Sequence, residues 1–578
     1  MSTKLEVLDA FYGSDEFPID WEEGERELFW VYNDLYVPNP VSPMYFDIGG
    51  YWLNADYMFR RFGTSFGCDW LGKTVNGYLY TAAVPADPSA RVESTQYEAR
   101  YVARAPRDPG YAERMSPYLD WVLPHCADNF LIWWRERLRP EIERNFAYLD
   151  GVDYEAASLV ELAIVLEDAI DIHDRHWKIH WQLNFAQLAS TIRLESAIRE
   201  VKGEVDEELF GRLQSSVDDR NWDSIAALWQ LKEEIKGDEQ LRAAFSRATG
   251  ADTRRALQAS ARGQRFLAEG LEPYRREFGN KAIWTHEFAF PTWRENPIPI
   301  VEAIRGYLES DYDYKGALEA VKADLDRAVA ELMQGVPTGE GHRQLERALQ
   351  LALKMNPLTP DHHFYIDQGT NARVRYVLVA VGRKLAADGL LDDPEDVIYL
   401  LYNELRALMA NPSALDARAI VSSRRDEHER ALELRPPDWI GTATEAALEF
   451  PYLRLWGYPD RFYAPRSDQP EEIGGLAASA GVAEGIAHRV ASPADFDAVK
   501  EGEILVCRMT NPAWMVVFTK IAGLVTDAGG TISHPAVIAR EFGIPAVVGT
   551  SVATERIMTG DRVRVNGSAG RVEILSHA

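Results

Sequence analysis

Cysteines are scarce in this 578-residue sequence, which has only Cys68, Cys126 and Cys507, far apart in the chain. Their spacing excludes a dense disulfide framework, and no C-x-x-C pair is present to bind zinc through thiolates. The N-terminus lacks a basic segment followed by an apolar run, and no stretch reaches the roughly 18 apolar residues that cross a bilayer. We therefore expect a soluble protein of the reducing cytoplasm.

Basic residues are also few. Lys and Arg total 62 against 90 Asp and Glu, which gives a formal net charge of −28. Such a surface repels nucleic acids and anionic membranes, so neither is expected as a partner. The chain is too long for a single hydrophobic core, and its 16 Trp and 25 Tyr residues are typical of an ordered protein with several domains.

Changes in composition divide the sequence into four parts. Residues 1–111 are rich in turn-forming Gly and Pro and predict irregular structure. Residues 112–458 show helical periodicity over long stretches. The polar segment 459–474 is rich in Pro and Gly and predicts a linker, and residues 475–578 contain short β-type runs such as EILVCRM and AVVGT. The fold class that follows is multidomain α+β, with a large mainly α-helical region followed by a small α/β module.

One segment of the α/β module has the order strand, glycine turn, helix. It reads GLVTDAGGTISHPAVIAREF, with Gly529 and Gly530 in the turn and Ser533-His534 at the predicted helix start. A helix start offers unpaired N–H groups and a positive dipole end to an anion, and glycines allow close approach of the backbone. A histidine there can act as a nucleophile that carries a phosphoryl group. A polar helix-start residue without chemistry is the alternative.

Hydroxyl groups near this histidine are candidates to stabilise the phosphoryl oxygens as hydrogen-bond donors. They belong to Thr526, Thr531 and Ser533.

The same module resembles the phosphohistidine domain of phosphoenolpyruvate synthase, pyruvate phosphate dikinase and rifampicin phosphotransferase. The matching stretches are ASAGVAEGIAHRV (478–490), GEILVCRMTNPAWMVVF (502–518) and GGTISHPAVIAREFGIPAVVG (529–549). The resemblance implies that 475–578 is a swivelling PEP-utilising mobile domain. It also implies that His534 is the catalytic residue that becomes phosphorylated.

In those families an ATP-grasp domain charges the histidine, and no such region is recognisable here. This implies a separate ATP-grasp subunit that binds ATP and Mg²⁺. Segments 17–44 and 367–405 resemble the acceptor-binding region of rifampicin phosphotransferase-like proteins. The whole arrangement resembles the large subunit of phenylphosphate synthase-type enzymes, which implies a dikinase-type transfer to a small phenolic hydroxyl with release of AMP and phosphate.

Two other functions stay open. In the first, the phosphoryl acceptor is a bulky rifamycin-type antibiotic, and a large cavity would favour this function. In the second the chain is a non-enzymatic phosphocarrier or regulatory protein, whose helical region docks another protein.

A row of histidines continues an apolar helical pattern in the region expected to bind the acceptor. This histidine stripe consists of Leu162, Leu166, Ala169, His173, His176, His180 and Leu183. Polar groups on a core-facing stripe need partners, and a cavity that binds the acceptor would supply them. An imidazole there can act as general base toward a phenol, and Trp177 can contact a flat ring. Hydrogen-bonded core histidines and a metal site are the alternatives, and no metal is assigned.

Other charged candidates lie outside the stripe. Lys281 and Arg294 flank an aromatic segment that also contains His286 and Glu287, and either cation can contact phosphoryl oxygens. Surface ion pairs are the alternative for both. The pair His362-His363, with Asp367, follows Pro360, which predicts an exposed loop or helix start.

Overall fold

The structure is a computed structural model that describes residues 7–54, 68–85, 127–247, 249–448, 453, 457–463, 469–490, 496, 498–510, 514–518, 520–530 and 533–578. The chain divides into two compact units. The first unit contains residues 1–201, 284–290 and 343–453, and the second contains 202–283, 291–342 and 454–578. Within the described ranges, no helix combines the length and apolar character needed to cross a membrane.

A five-stranded antiparallel sheet belongs to the first unit. Its strands are β1 (Val7–Phe11), β2 (Phe29–Tyr32), β3 (Cys68–Val75), β4 (Tyr78–Pro85) and β5 (Trp439–Thr444). Their order in the sheet is β1-β5-β2-β4-β3. Large aromatic side chains, including Trp30, Tyr32 and Tyr80, form much of its core. The segment expected to be irregular therefore contributes four strands, because β-branched and aromatic side chains here pack across a sheet despite the many turn residues.

Helices make up the rest of the first unit. The longest, Leu159–Lys202, has 44 residues and no Gly or Pro. It begins with a reciprocal cap: Glu161 N–H donates to Ser158 Oγ over 3.3 Å, and Ser158 N–H donates to Glu161 Oε2 over 2.7 Å. The other α-helices are Phe130–Trp133, Arg139–Asp150, Glu340–Met355, Leu358–His362, Gly369–Ala387, Tyr402–Ala410, Ala417–Leu432 and Glu445–Leu448. π-Helical segments lie at Tyr45–Gly49, Trp134–Leu138 and His363–Gln368, and 3-10 turns at Glu25–Glu27, Tyr51–Asn54 and Pro394–Tyr399.

The second unit combines a helical part with an eight-stranded mixed sheet. Its α-helices are Glu207–Leu213, Arg220–Lys236, Glu239–Phe245, Gly250–Gln258, Ala261–Arg265, Glu272–Phe278, Ile298–Glu309, Tyr314–Met333, Tyr458–Phe462, Met515–Phe518, His534–Phe542 and Ala553–Arg556, with a π-helical segment at Phe266–Leu271. The strands are β6 (Glu472–Gly474), β7 (Leu476–Ser479), β8 (Val482–Val490), β9 (Ile504–Cys507), β10 (Gly523–Thr526), β11 (Ala546–Val548), β12 (Arg562–Asn566) and β13 (Arg571–Ser576).

This sheet has the order β6-β13-β12-β8-β9-β10-β11-β7. Strands β8, β9, β10 and β11 pair in parallel, and helix His534–Phe542 connects β10 to β11. Valine and isoleucine side chains from most strands of the sheet fill its core, including Ile504, Val525 and Val563. The helix therefore follows the carboxyl end of a central parallel strand, where open α/β sheets commonly bind ligands.

The α+β fold class is confirmed by these elements. The short β-type runs after residue 475 all become strands, since each is bounded by turn residues. Within the predicted linker 459–474, residues up to Phe462 are helical and Glu472–Gly474 pairs with β13. The domain boundaries themselves stay predictions.

Candidate functional site

The carrier loop, residues 526–534, connects β10 to the following helix. Thr526 ends β10, and Gly529 adopts a left-handed φ of 105°. Ser533 is the extended N-cap residue, with φ −68° and ψ 160°, and His534 is the first residue of helix His534–Phe542. The predicted carrier residue therefore stands at a helix start with unpaired backbone N–H groups, which favours binding of an anion.

The described hydroxyls of the carrier loop donate to its own backbone. Thr526 is fully buried, and its Oγ1 donates to the Ala528 carbonyl over 2.7 Å. Ser533 donates to the Gly530 carbonyl through both Oγ (2.7 Å) and N–H (3.0 Å). Thr531 lies outside the described residues. The phosphate-stabilising role of these residues stays a prediction, and the observed bonds show how the two glycines and two hydroxyls shape the turn.

A second loop anchors the carrier loop through Asp527. Its Oδ1 accepts hydrogen bonds from Thr554 N–H (3.0 Å) and Thr550 Oγ1 (3.3 Å), and its Oδ2 bonds to the Thr554 hydroxyl. The Asp527 carbonyl accepts the Ser551 N–H over 3.0 Å. Because Asp527 is 6% exposed, these bonds fix the turn in a largely water-free setting.

His176 is a buried histidine whose two ring nitrogens are both used by the protein. Asn145 Nδ2 donates to Nε2 over 3.0 Å, and Nδ1 lies 2.8 Å from the hydroxyl oxygen of Thr370. Burial is the main cause that lowers the pKa of His176 to about 3, with the neighbouring His173 adding to it. His176 is therefore neutral at pH 7, and it has no ring nitrogen left for a ligand.

His173, one helical turn earlier, is also buried and has protein partners at its Nε2. The Trp177 indole N–H donates to its Nε2 over 2.8 Å, and Asn371 Oδ1 lies 3.0 Å from the same nitrogen. The Asn371 amide nitrogen donates to the Thr285 carbonyl over 2.8 Å, which fixes the orientation of that amide. Burial lowers the pKa of His173 to about 4.

His180, the third histidine of the stripe, belongs to a different group. Its Nε2 lies 3.7 Å from Asp367 Oδ1, and its ring centroid lies 4.9 Å from that of His362. His286 Nε2 lies 3.5 Å from Asp367 Oδ2, and His363 Nδ1 forms a hydrogen bond with the same oxygen. We call this group the imidazole cluster: His180, His286, His362 and His363 around Asp367.

The carboxylate at the centre of the imidazole cluster is 1% exposed. Burial alone would raise the pKa of Asp367, but the facing His363 and His286 hold it well below its ordinary value. Burial lowers the pKa of His180 to about 4 and that of His362 well below its ordinary value. The cluster thus pairs one buried anion with neutral His180 and His362.

The expectation that His362, His363 and Asp367 are exposed is wrong for two of the three. The two buried residues are His362, which is 4% exposed, and Asp367, which is 1% exposed. The His363 side chain is half-buried at 35%. The reason is the π-helical segment His363–Gln368, whose i to i+5 bonding brings His362 and Asp367 to nearly the same face. The sequence signal is the H-H-x-x-x-D spacing: an α-helix already places His363 and Asp367, four residues apart, on one face, but not His362.

Lys281 and Arg294 lie in the second unit, whereas the imidazole cluster lies in the first. Lys281 is 2% exposed; its Nζ donates to Ser224 Oγ over 2.8 Å and lies 5.4 Å from the Trp293 ring centroid. Burial, with a contribution from Arg220, lowers the pKa of Lys281 to about 7. Backbone bonds fix Arg294: its N–H donates to the Gly279 carbonyl over 2.7 Å. Their contact with phosphoryl oxygens stays a prediction.

Two family models match parts of this chain. Residues 499–570, which include the carrier loop, match the mobile domain of PEP-utilising enzymes. Residues 180–358 match the fourth domain of rifampicin phosphotransferase. The matches support a phosphohistidine-domain phosphotransferase family.

Two of the three relatives described here are named phosphotransferases. The chain is 28% identical to the uncharacterized phosphotransferase YvkC of Bacillus subtilis (strain 168) over 69% of this chain and 47% of that protein. It is 31% identical to a rifampicin phosphotransferase of Streptomyces sp over 53% of this chain and 34% of the relative. It is also 28% identical to chondramide synthase cmdD of Chondromyces crocatus, over 97% of this chain and 14% of the synthase. The chain spans less than half the length of each of these relatives.

Proposed function

We propose that this chain is a phosphotransferase component in which His534 carries a phosphoryl group to the hydroxyl of a small phenolic compound. The observation that carries the proposal is the position of His534. It begins a helix at the carboxyl end of a parallel strand, behind a left-handed glycine, inside the segment that matches the mobile domain. ATP and Mg²⁺ belong in this proposal to a separate ATP-grasp subunit, and the nucleotide ends as AMP and phosphate.

The transfer to the acceptor has a simple balance. The His534 imidazole holds the phosphoryl group through an N–P bond. The acceptor oxygen then attacks phosphorus, the N–P bond breaks, the electron pair returns to the imidazole, and the hydroxyl proton leaves to a base or to water. Phosphoryl transfer of this kind depends mainly on positioning and charge stabilisation, so a helix start suits the carrier end of the reaction.

The imidazole cluster supports the acceptor side of the proposal. It offers a buried carboxylate and neutral imidazoles beside the rings of Trp177 and Tyr36, whose centroids lie 5.6 Å and 4.8 Å from that of His286. Such a surrounding suits an aromatic ring that carries one hydroxyl. Because the pKa of His180 is about 4, this side chain suits orientation of a hydroxyl better than its full deprotonation.

A rifamycin-type antibiotic is the second candidate acceptor. The match of residues 180–358 to a rifampicin phosphotransferase domain favours it. The two candidates differ in acceptor size and share the carrier step, so one experiment distinguishes them.

Chemical charging of the carrier tests the proposal without the nucleotide-binding subunit. The chain is incubated with phosphoramidate, a small phosphoryl donor for histidine, and its intact mass and phosphorylated peptide are measured at alkaline pH. We expect acid-labile label on His534, and its loss by at least about 100-fold in His534→Asn. The matched control is His488→Asn, since His488 lies on β8 of the same sheet and its Nδ1 is 3.0 Å from Glu503 Oε2. Equal label in wild type and His534→Asn would overturn the proposal.

The charged chain is then mixed separately with phenol, 4-cresol and rifamycin SV. Formation of an aryl phosphate together with loss of label from His534 supports the phenolic acceptor. Phosphorylation of rifamycin alone contradicts it in favour of the second candidate. Label that decays at the rate of hydrolysis with every compound contradicts both acceptors.

A further inference from the structure

We infer that His180, His362 and Asp367 form a binding site for a divalent transition-metal cation, with Zn²⁺ as the best match. One ligand atom from each of the three residues lies within 4.8 Å of the others. The residues are 8%, 4% and 1% exposed. All three belong to the first unit, so the site is complete within one compact body.

The hydrogen bond of His362 fixes which of its nitrogens is free to bind a metal. Its Nδ1 lies 3.0 Å from the Leu358 carbonyl oxygen, and a carbonyl can only accept, so Nδ1 carries the proton. The lone pair is therefore on Nε2, which lies 4.0 Å from Asp367 Oδ2. A backbone carbonyl that holds the second nitrogen is the usual support of a metal-binding histidine.

Asp367 presents one oxygen that the described residues leave unsatisfied. Its Oδ1 is buried and has no hydrogen-bond partner within the described part of the chain. The other oxygen, Oδ2, faces His363 and His286, which hold the carboxylate in place. A buried carboxylate oxygen without a partner is costly, and a cation at Oδ1 would satisfy it. His180 Nε2 is already 3.7 Å from that oxygen.

His180 needs one small change of its neighbour in order to bind a metal. Asn184 Nδ2 lies 3.0 Å from its Nδ1 and 3.2 Å from its Nε2. When this amide is turned over, its oxygen can accept the proton of Nδ1 and leave the lone pair of Nε2 for the metal. The two orientations of an asparagine amide have nearly the same shape, so the change requires no movement of the backbone.

The donor set selects the cation. Two imidazoles and one carboxylate match zinc sites that keep a fourth position open, whereas Mg²⁺ and Ca²⁺ prefer oxygen ligands. Bonds of about 2.0–2.1 Å in a tetrahedron place ligand atoms roughly 3.3 Å apart. The three ligand atoms lie within 4.8 Å of one another, so their separations need to close by at most about 1.5 Å. The half-buried His363 at the edge of the cluster offers access from solvent.

The three residues also belong to the imidazole cluster that the proposed function assigns to the acceptor, but metal binding by the chain is measured without any phosphoryl transfer. A zinc ion with an open position would polarise an oxygen bound there. The metal site and the label on His534 therefore succeed or fail in separate measurements.

The test is metal binding by the full chain. Protein stripped with chelator is titrated with Zn²⁺, and bound metal is counted by mass spectrometry of the elements after gel filtration. Co²⁺ serves as a spectroscopic probe. We expect one equivalent of tightly bound Zn²⁺, an increase in the melting temperature on binding, and the visible absorption bands of tetrahedral Co²⁺.

Two variants and one matched control locate the site. His362→Ala and Asp367→Asn are each expected to weaken Zn²⁺ binding by at least about 100-fold, since each removes a direct ligand, whereas loss of an outer-shell partner typically costs 10–100-fold. His176→Gln is the control. His176 is buried on the long helix that also carries the ligand His180, and both of its ring nitrogens already have protein partners. It should retain the affinity of the wild type.

Three outcomes overturn the inference. The first is wild-type chain that takes up no stoichiometric Zn²⁺ and shows no tetrahedral Co²⁺ bands, a result that does not depend on whether the variants fold. The second is Zn²⁺ affinity that is unchanged in both His362→Ala and Asp367→Asn. The third is equal loss of affinity in His176→Gln, which would indicate general damage to the helix instead of loss of ligands.

Discussion

The carrier loop and the imidazole cluster both gather polar groups in a confined space, but they are assembled differently. The carrier loop is one short stretch of chain. The geometry of its described residues comes from a glycine with positive φ, from hydrogen bonds to its own backbone and from the anchoring of Asp527 by the loop that contains Thr554. The imidazole cluster takes its members from three distant segments, and its contacts with Asp367 are made by side chains. A substitution within the carrier loop should therefore damage its backbone geometry. The imidazole cluster should instead be affected by pH and by bound ligands.

The histidines themselves show the same contrast within the first unit. His176 has both ring nitrogens engaged by protein groups, while His362 has one nitrogen engaged and a second facing a carboxylate. Both are buried and neutral. Burial of a histidine thus does not distinguish a packed residue from a candidate ligand, whereas the number of its ring nitrogens that already have protein partners does.

The largest expected effect is on the pH dependence of the unfolding free energy, through protonation of His176. The pKa of His176 is about 3 in the folded chain and 6.5 in an ordinary setting, so the unfolded chain binds the extra proton between pH 6.5 and 3. Stability is then complete above pH 6.5 and falls as the pH drops through this window, by up to about 1.4 kcal/mol per unit. In His176→Gln, the slope of unfolding free energy between pH 6 and pH 4 should be shallower by about that amount, as measured by urea denaturation.

His173 and His180 add to the wild-type slope in the same direction, because the pKa of each is about 4. The comparison of slopes, not of stabilities at one pH, is therefore the informative measurement. An unchanged slope in His176→Gln would show that His176 is already protonated or solvated in the folded chain.

An intermediate effect is expected from the backbone of the carrier loop. Gly529 has φ 105°, and a Cβ there would lie 2.7 Å from Ser533 Oγ, whereas Gly543 has φ 66° and no described atom within 4 Å of its Cβ position. Gly543→Ala should cost about 1 kcal/mol through left-handed strain alone, and Gly529→Ala about 2–3 kcal/mol. Urea denaturation measures both costs, and only Gly529→Ala should also slow the labelling of His534. Equal losses of unfolding free energy in the two variants, with equal rates of His534 labelling, would show that the turn accommodates a Cβ at position 529 without strain.

The smallest effect is expected from His363→Gln. His363 bonds to the Asp367 carboxylate, but its side chain is 35% exposed, so solvent can replace much of the interaction. A glutamine can still donate a hydrogen bond, and we expect a loss of less than about 1 kcal/mol at pH 7 in thermal or urea unfolding. A loss above about 3 kcal/mol would show that the cluster is a closed structural network, which would remove its distinction from the His176 site.

Regular local patterns were sufficient for much of the fold. Six β-type runs after residue 475 become strands, and the uninterrupted 159–202 helix follows from 44 residues without Gly or Pro. The strands in the first 111 residues were missed for two reasons. β2 and β5 pair across roughly four hundred residues, so the local sequence does not show their partners. β3 and β4 form a local hairpin through Asn76-Gly77, and this signal was not used. Turn residues dominated the local signal there.

The sequence by itself determined the order of strand, glycine turn and helix around His534, because adjacent residues and backbone preferences suffice to specify such a turn. It also determined that three histidines share one buried helical face. Only the tertiary structure decided that His176 is satisfied by Asn145 and Thr370 while His180 meets Asp367. The reason is that the partners come from other helices, and a π-helical segment sets the face on which His362 and Asp367 lie.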